Sequence, residues 1–312
     1  MNNKAIINLL KNRIFDTLRP IIGRRTILTD LPYHGNIGDI LIWEGELTFL
    51  KDIGSYPIYQ TSGSTFTFPV LDEDITICLH GGGNFGDLYR GAQDFRLSVV
   101  NAYPNNRIVI FPQSVWYSDK ELVVKDAVEL GKHPDLYICA RDITGYEFMK
   151  QKFTNNNILL VPDMAFCIGD LSNNKILDKD DNALFIKRLD KEYDNTISRI
   201  DMPYCTRDWP AFEKKLTAIR IFVGINHRLQ RFGNKTIFKC TDWIMGKYFR
   251  QNLIAKGISI LSPYTKIYTT RLHALILGIL LDKDIVVFDN STKKLSDFVN
   301  SWLMDDDNVT FG

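Results

Sequence analysis

Between residues 26 and 161, short apolar runs alternate with stretches long enough for three or four helical turns. The runs Thr26–Thr29, Ile75–Leu79, Arg107–Phe111, Leu136–Ala140 and Ile158–Val161 predict strands. Each is brief, rich in apolar and β-branched residues and bounded by polar or turn-forming segments. Between them, Asp39–Lys51 and Lys120–Lys132 carry apolar residues at helical spacing. Strands that feed alternately into helices form a parallel sheet wrapped on both faces, so the pattern predicts an α/β fold. A polar stretch, Gly169–Asn182, interrupts the alternation, which then resumes. Ala183–Lys187, Ser259–Leu261, Lys266–Thr269 and Ile285–Phe288 read as further strands, with helices over Thr241–Lys256 and Leu272–Leu281. The interruption predicts a domain boundary near Ser172–Asp181, separating residues 1–175 from 176–312. A last helix over Lys294–Leu303 is placed to return across the first unit.

The opening segment has its own pattern. Ile7, Leu10, Ile14 and Leu18 recur at helical spacing, while Lys4, Lys11 and Arg13 add positive charge. The ordinary reading is a surface helix docked on the protein. A basic amphipathic helix can also rest on an anionic membrane, so peripheral membrane contact is the second expectation. No transmembrane segment is expected, because the longest apolar run, Leu275–Leu281, is about a third of the ~20 residues a spanning helix needs. The N-terminus lacks the unbroken apolar core and small-residue cleavage site of a secretory signal.

Composition narrows the function. The 312 residues are 45% hydrophobic and 24% charged, which suits a soluble globular protein and excludes extensive disorder. Thirty-eight Lys and Arg against 37 Asp and Glu leave a net charge of +1, too balanced for a nucleic-acid partner gripped through its backbone. A small anion needs only a few local cations. The five cysteines are odd in number and widely spaced, with no C-x-x-C pair, so neither a disulfide framework nor a zinc site is expected. Cys78, Cys139 and Cys167 sit in apolar runs as core residues, and a reducing cytoplasm is the expected setting. The five histidines are scattered without an H-x-x-x-H pair, and no metal is expected.

Two glycine-rich segments follow strands in the first half, His34-Gly35-Asn36-Ile37-Gly38-Asp39 and His80-Gly81-Gly82-Gly83-Asn84-Phe85-Gly86-Asp87. Either alone is also an ordinary strand-to-helix turn. Glycines there let the backbone turn sharply and bring N–H groups near a ligand at the carboxyl ends of the strands. Gly81, Gly83 and Gly86 match G-x-G-x-x-G, but the next strand ends Ile110-Phe111-Pro112-Gln113-Ser114, without the acid a dinucleotide site needs. His80-Gly81-Gly82-Gly83 is like an esterase oxyanion turn, yet no G-x-S-x-G nucleophile accompanies it. The second half supplies cations: Arg188 ends one strand, and Arg271-Leu272-His273 follows another and opens an apolar helix. A guanidinium and an imidazole two residues apart can meet one anion, helped by the helix N-terminus. Asn290 and Ser291, with Lys294, stand after a third strand, where they can cap a helix or bind the same ligand.

Taken in order, these segments resemble the bacterial polysaccharide pyruvyl transferases, enzymes that move pyruvate from phosphoenolpyruvate onto a sugar as a ketal. The likeness continues through Phe111-Pro112-Gln113-Ser114, Ala140-Arg141-Asp142, Val161-Pro162-Asp163-Met164-Ala165-Phe166 and Arg188-Leu189-Asp190-Lys191-Glu192. One departure is Asn290-Ser291-Thr292-Lys293-Lys294, where the family often has Asn-Ser-Tyr-Gly-Lys. The resemblance implies two Rossmann-like domains facing a cleft, as in the B-type glycosyltransferases. It places the acceptor on the side of the glycine-rich loops and phosphoenolpyruvate on the C-terminal side. Arg271, Leu272, His273 and Arg188 are then expected to hold phosphoenolpyruvate. His34, Asn36, Asp39, Gly82, Gly83, Asn84, Asp87, Gln113, Asp163, Asn290, Ser291 and Lys294 complete the expected substrate-binding set.

Phosphoenolpyruvate brings a carboxylate and a phosphate, which arginine forks pair with bidentately. Ketal formation needs a general acid to protonate the methylene carbon and a base for the sugar hydroxyl. His273 is a candidate acid or only an anion ligand; Asp39, Asp87 and Asp163 are candidate bases. No cofactor is expected beyond this co-substrate. The expected acceptor is a sugar of a surface-polysaccharide precursor, on a lipid carrier, met in the cytoplasm or at the inner face of the membrane. The rival readings are a nucleotide-sugar glycosyltransferase and a non-catalytic glycan-binding assembly protein.

Overall fold

Every described strand pair is parallel. The structure, a computed structural model, describes residues 1–174, 183–187, 204–209, 235–289 and 294–312. A first sheet has seven strands: β1 (Arg25–Thr29), β2 (Tyr56–Gln60), β3 (Thr76–Leu79), β4 (Gly82–Gly86), β5 (Ile108–Trp116), β6 (Leu136–Ala140) and β7 (Asn157–Leu160). Their order is β2-β1-β3-β5-β6-β7, with β4 alongside the C-terminal half of β5. A second sheet has five among the described residues: β8 (Ala183–Ile186), β9 (Tyr204–Arg207), β10 (Lys266–Thr269), β11 (Asp284–Val287) and β12 (Val309–Phe311), in the order β12-β11-β10-β8-β9. The central strands β3 and β8 are buried at every residue, as parallel strands covered on both faces should be.

Among the described residues the α-helices are α1 (Asn3–Leu18), α2 (Ile37–Asp52), α3 (Arg90–Ala102), α4 (Lys120–Leu130), α5 (Ile143–Lys152), α6 (Lys235–Ile244), α7 (Arg250–Leu261), α8 (Leu272–Leu280) and α9 (Lys294–Trp302). The chain is thus α/β. In the first sheet the strand order reverses between β1 and β3; in the second it reverses between β8 and β10. Ligand crevices of open parallel sheets lie outside the carboxyl ends at such reversals.

Helix α2 is central. Asn36 caps it by accepting the Gly38 N–H at 3.0 Å, and Ile40, Leu41, Ile42, Trp43, Phe49 and Leu50 are buried around its whole circumference. Gly45 lets it press against the short helical turn Met164–Ile168, whose Met164 carbonyl a methyl at position 45 would strike. One apolar cluster runs from Ile6 and Ile14 of α1 through Trp43 of α2 and Phe166 to Leu253 of α7, Leu275 of α8 and Phe298 of α9. Helix α9 also meets α5: the Ile143 N–H donates to Ser301 Oγ at 2.9 Å, and Phe166 stacks on Phe298.

The apolar stripe of α1, namely Ile6, Ile7, Leu10, Ile14 and Leu18, is buried in that cluster. Asn3 anchors the helix by donating to the Lys283 carbonyl at 3.0 Å. The docked reading is therefore the observed one, and the stripe offers no apolar face to lipid. No described helix is long and apolar enough to cross a membrane. Cys78, Cys139 and Cys167 are buried and free, and burial pushes their thiol pKa values up.

Several expectations are corrected. Ser259–Leu261 is the end of α7, not a strand: Met245, Phe249, Leu253, Gly257 and Leu261 recur every four residues on one buried face, continuing through a π-helical turn at Met245–Phe249. The segment after His80 is strand β4 rather than a turn, because β5 extends to Trp116 and pairs with it. Gly86 makes that pairing possible, since a methyl there would strike the Trp116 carbonyl. The expected boundary at Ser172–Asp181 falls largely outside the described residues.

Candidate functional site

A pocket of about 680 Å³ opens where the carboxyl ends of the two sheets meet. From the first sheet come Asp30, Leu31 and Pro32 after β1, His34, Asn36 and Asp39 at the start of α2, and His80, Gly83 and Asn84 around β4. Tyr89 to Ala92 at the start of α3, and Arg141 after β6, extend that wall. Trp209 after β9, Arg271, Leu272 and His273 after β10, and Leu295 of α9 close it from the other side. At the first order reversal the residues that follow β1 and β3 line the pocket, and at the second those that follow β10 do.

Of the residues expected from sequence, His34, Asn36, Asp39, Gly83, Asn84, Arg271, Leu272 and His273 line this pocket. Asp39 receives the Asn36 amide at 2.8 Å, with His34 Nε2 3.7 Å away. Gly82 lies beneath, at a φ of 133° that glycine adopts without strain. Gln113 is buried behind the wall, donating to the His80 carbonyl at 2.7 Å. Asp87 is not brought to the pocket. Its Oδ2 accepts from the Ser118 N–H and hydroxyl and the Asp119 N–H, and although its slight burial works the other way, these bonds lower its pKa. Arg188, Asn290 and Ser291 lie outside the described residues, and of Lys294 only the backbone that opens α9 is described.

Asp163 is buried one layer behind His273. Its Oδ2 meets His273 Nε2 at 3.3 Å and Arg141 Nη1 at 3.0 Å, while Oδ1 accepts the Ala165 N–H. Burial alone would raise its pKa, but His273 and Arg141 outweigh that and hold the carboxyl well below the usual range. Arg141 is further fixed by Ser114 Oγ at 2.8 Å. Arg271 is held by Asp208, with Nη2 to Oδ2 at 2.8 Å, and Arg90 is held bidentately by Asp126 at 2.8 and 2.9 Å. The arginines on the pocket wall are thus positioned by carboxylates. His273 also packs on Gly38, where a methyl would overlap the imidazole.

Sequence reasoning missed a second histidine–carboxylate pair. His80 Nδ1 lies 2.8 Å from Glu46 Oε2, and Glu46 Oε1 accepts the Gly81 N–H at 2.8 Å. Glu46 is wholly buried in α2, an acid set among Ile42, Trp43, Phe49 and Leu50 on the apolar side of the helix, which is the signal that could have found it. Asp30 was missed as well. It carries a left-handed φ of 65° and takes Arg96 Nη2 at 2.8 Å; Arg96 also donates to the Asn84 carbonyl at 3.0 Å. A positive φ outside glycine is uncommon and tends to cluster at functional sites. The site can therefore hold a compact anion among arginines and imidazoles, beside a wall carrying hydroxyl-binding carboxylate and amide groups.

Residues 36–292 match the family described as Polysaccharide pyruvyl transferase. The chain is 31% identical, over 97% of its length, to a Bacillus subtilis protein named pyruvyl transferase EpsO, 93% of which is covered. It is 26% identical to Pyruvyl transferase 1 of Schizosaccharomyces pombe, over 96% of this chain and 75% of that one. A crystal structure of an uncharacterized Klebsiella pneumoniae protein matches with a TM-score of 0.61 at 18% identity, covering 100% of this chain and 99% of that one, a likeness of fold.

Proposed function

The chain belongs to the polysaccharide pyruvyl transferase family, and from that premise we propose that it transfers pyruvate from phosphoenolpyruvate, as a ketal, onto a sugar of a surface-polysaccharide precursor. The observation that carries this reading is the convergence of Arg271 and His273, from the second sheet, with the glycine-bearing loops of the first on one pocket. A donor with carboxylate and phosphate groups would be held by Arg271, Arg141 and His273, guanidinium forks taking the oxygens pairwise. Asp163 keeps His273 and Arg141 oriented and, being held ionised, serves here as their anchor rather than as the base. Asp39, with His34 and Asn36, would meet the acceptor hydroxyls.

On this reading the sheets form two Rossmann-like units, residues 1–175 and 176–312, in a B-type glycosyltransferase arrangement. The reaction uses phosphoenolpyruvate as co-substrate and no further cofactor. The acceptor would be a lipid-linked glycan met in the cytoplasm or at the inner face of the membrane. The test is purified protein with phosphoenolpyruvate and a panel of glycans, read as phosphate release and the added mass of a pyruvylidene group. Arg271→Ala should abolish turnover. Stabilisation by a nucleoside diphosphate, with no response to phosphoenolpyruvate, would instead support a nucleotide-sugar donor.

A further inference from the structure

Two histidine–carboxylate pairs joined by hydrogen bonds border the pocket, and the function proposed above uses one, His273–Asp163. The other, His80–Glu46, stands on the wall built by the first sheet. Both Glu46 oxygens are committed, one to His80 Nδ1 and one to the Gly81 N–H, so the imidazole is fixed in orientation. His80 Nε2 is buried without a hydrogen-bond partner among the described residues, on a residue of the pocket wall. A buried polar nitrogen left unpaired destabilises the fold, and an apolar pair of the same volume would pack α2 as well without that cost. A ligand seated against the His80 wall would satisfy it.

We propose that His80, oriented by Glu46, is the acid–base group of the pyruvyl transfer: Nε2 gives its proton to the methylene carbon of phosphoenolpyruvate and regains one from the first attacking sugar hydroxyl. The inference rests on the function proposed above. The π pair of the enol forms the new C–H bond, and the hydroxyl oxygen bonds to the former enol carbon as its proton returns to Nε2. The second hydroxyl then bonds to the same carbon as the C–O bond to phosphate breaks, and its proton leaves with the phosphate. A diol and phosphoenolpyruvate become a cyclic ketal and hydrogen phosphate, with no other reactant.

The charges around His80 favour this role. Burial would lower its pKa, but Glu46 on α2, then Asp39 at the start of α2 and Asp30 after β1, reverse that and hold it above the ordinary imidazole value. Arg96 and His34 act on Asp30, and Asp163 on Glu46, from the remaining sides. A group that must be protonated loses activity as pH rises through its folded pKa, so the rate should have a basic limb.

The test measures turnover against pH for wild type, His80→Asn and Glu46→Gln, with phosphoenolpyruvate affinity by calorimetry. His80→Asn should lower kcat by about 10²–10⁴-fold with donor affinity kept. Glu46→Gln removes the charge that raises the imidazole pKa and should move the basic limb to lower pH by about one to three pH units, which a merely structural role would not do. Should His80→Asn fail to fold, the limb of Glu46→Gln decides. Normal kcat in His80→Asn, or an unmoved limb in Glu46→Gln, overturns the inference while wild-type turnover upholds the function. A wild type that neither binds phosphoenolpyruvate nor turns over overturns both.

Discussion

Gly38 lacks a side chain where the His273 ring fills the space one would occupy. Gly38→Ala should therefore push the imidazole off Asp163. A misplacement of about 1 Å can cost up to about 10²-fold in rate. Helix α2 would meanwhile gain the roughly 0.5–1 kcal/mol by which alanine outranks glycine in a helix. Activity lost with unfolding temperature held is the expected outcome of paired kinetic and thermal measurements; full activity would mean that the contact does not fix His273. At this scale the sequence was half legible. Arg271, His273, Asn36 and Asp39 stood out because they follow apolar runs, at the strand ends where a parallel sheet places its ligands. Glu46 did not, since an acid in a helix ordinarily faces water, as its neighbour Glu44 partly does. Trp209 and Asp208 follow a strand, β9, that no periodic pattern announced.

Helix α1 shows what an amphipathic pattern does and does not specify. The spacing of Ile7, Leu10, Ile14 and Leu18 reveals a helix with one apolar side, but not whether protein or lipid covers that side. Here the cluster shared with α2 and α8 covers it. Ile6→Ala should cost about 2–5 kcal/mol in chemical denaturation, whereas Leu9→Ser, on the half-exposed side, should stay within about 0.5 kcal/mol. A small loss for Ile6→Ala would mean that the helix is only loosely docked. Strands β6 and β10 were legible to the residue, because their apolar runs are short and sharply bounded. Strand β4 was not: glycines suggest a turn, and only its pairing with the extended β5 makes it a strand. Residues 259–261 misled in the opposite sense, their local β character yielding to a four-residue repeat visible only over Met245–Leu261.

Across the whole molecule, polar ties as well as the core join the two sheets. Tyr33 after β1 and Thr65 after β2 each donate to Asp242 Oδ1 of α6 at 2.7 Å, and Oδ2 is buried without a partner among the described residues. Burial pushes the Asp242 carboxyl up to about 6, against those hydrogen bonds. Because the folded value is the higher one, the carboxylate opposes folding. Its cost is absent below the unfolded value of about 3.9, grows as pH rises and is complete above about 6. Relative to Asp242→Asn, wild type should lose up to about 3 kcal/mol of unfolding free energy between about pH 4 and pH 7; a flat difference would contradict this. The fold class was legible from alternation alone, but these long-range ties were not, since their partners lie about two hundred positions apart. The apolar cluster spanning α1, α2, α7 and α8 has a mechanical consequence. Rotating one sheet away from the other would wet that seam at roughly 25 cal/mol for each Å² exposed, so the seam resists hinging and keeps the two walls of the pocket in one fixed relation.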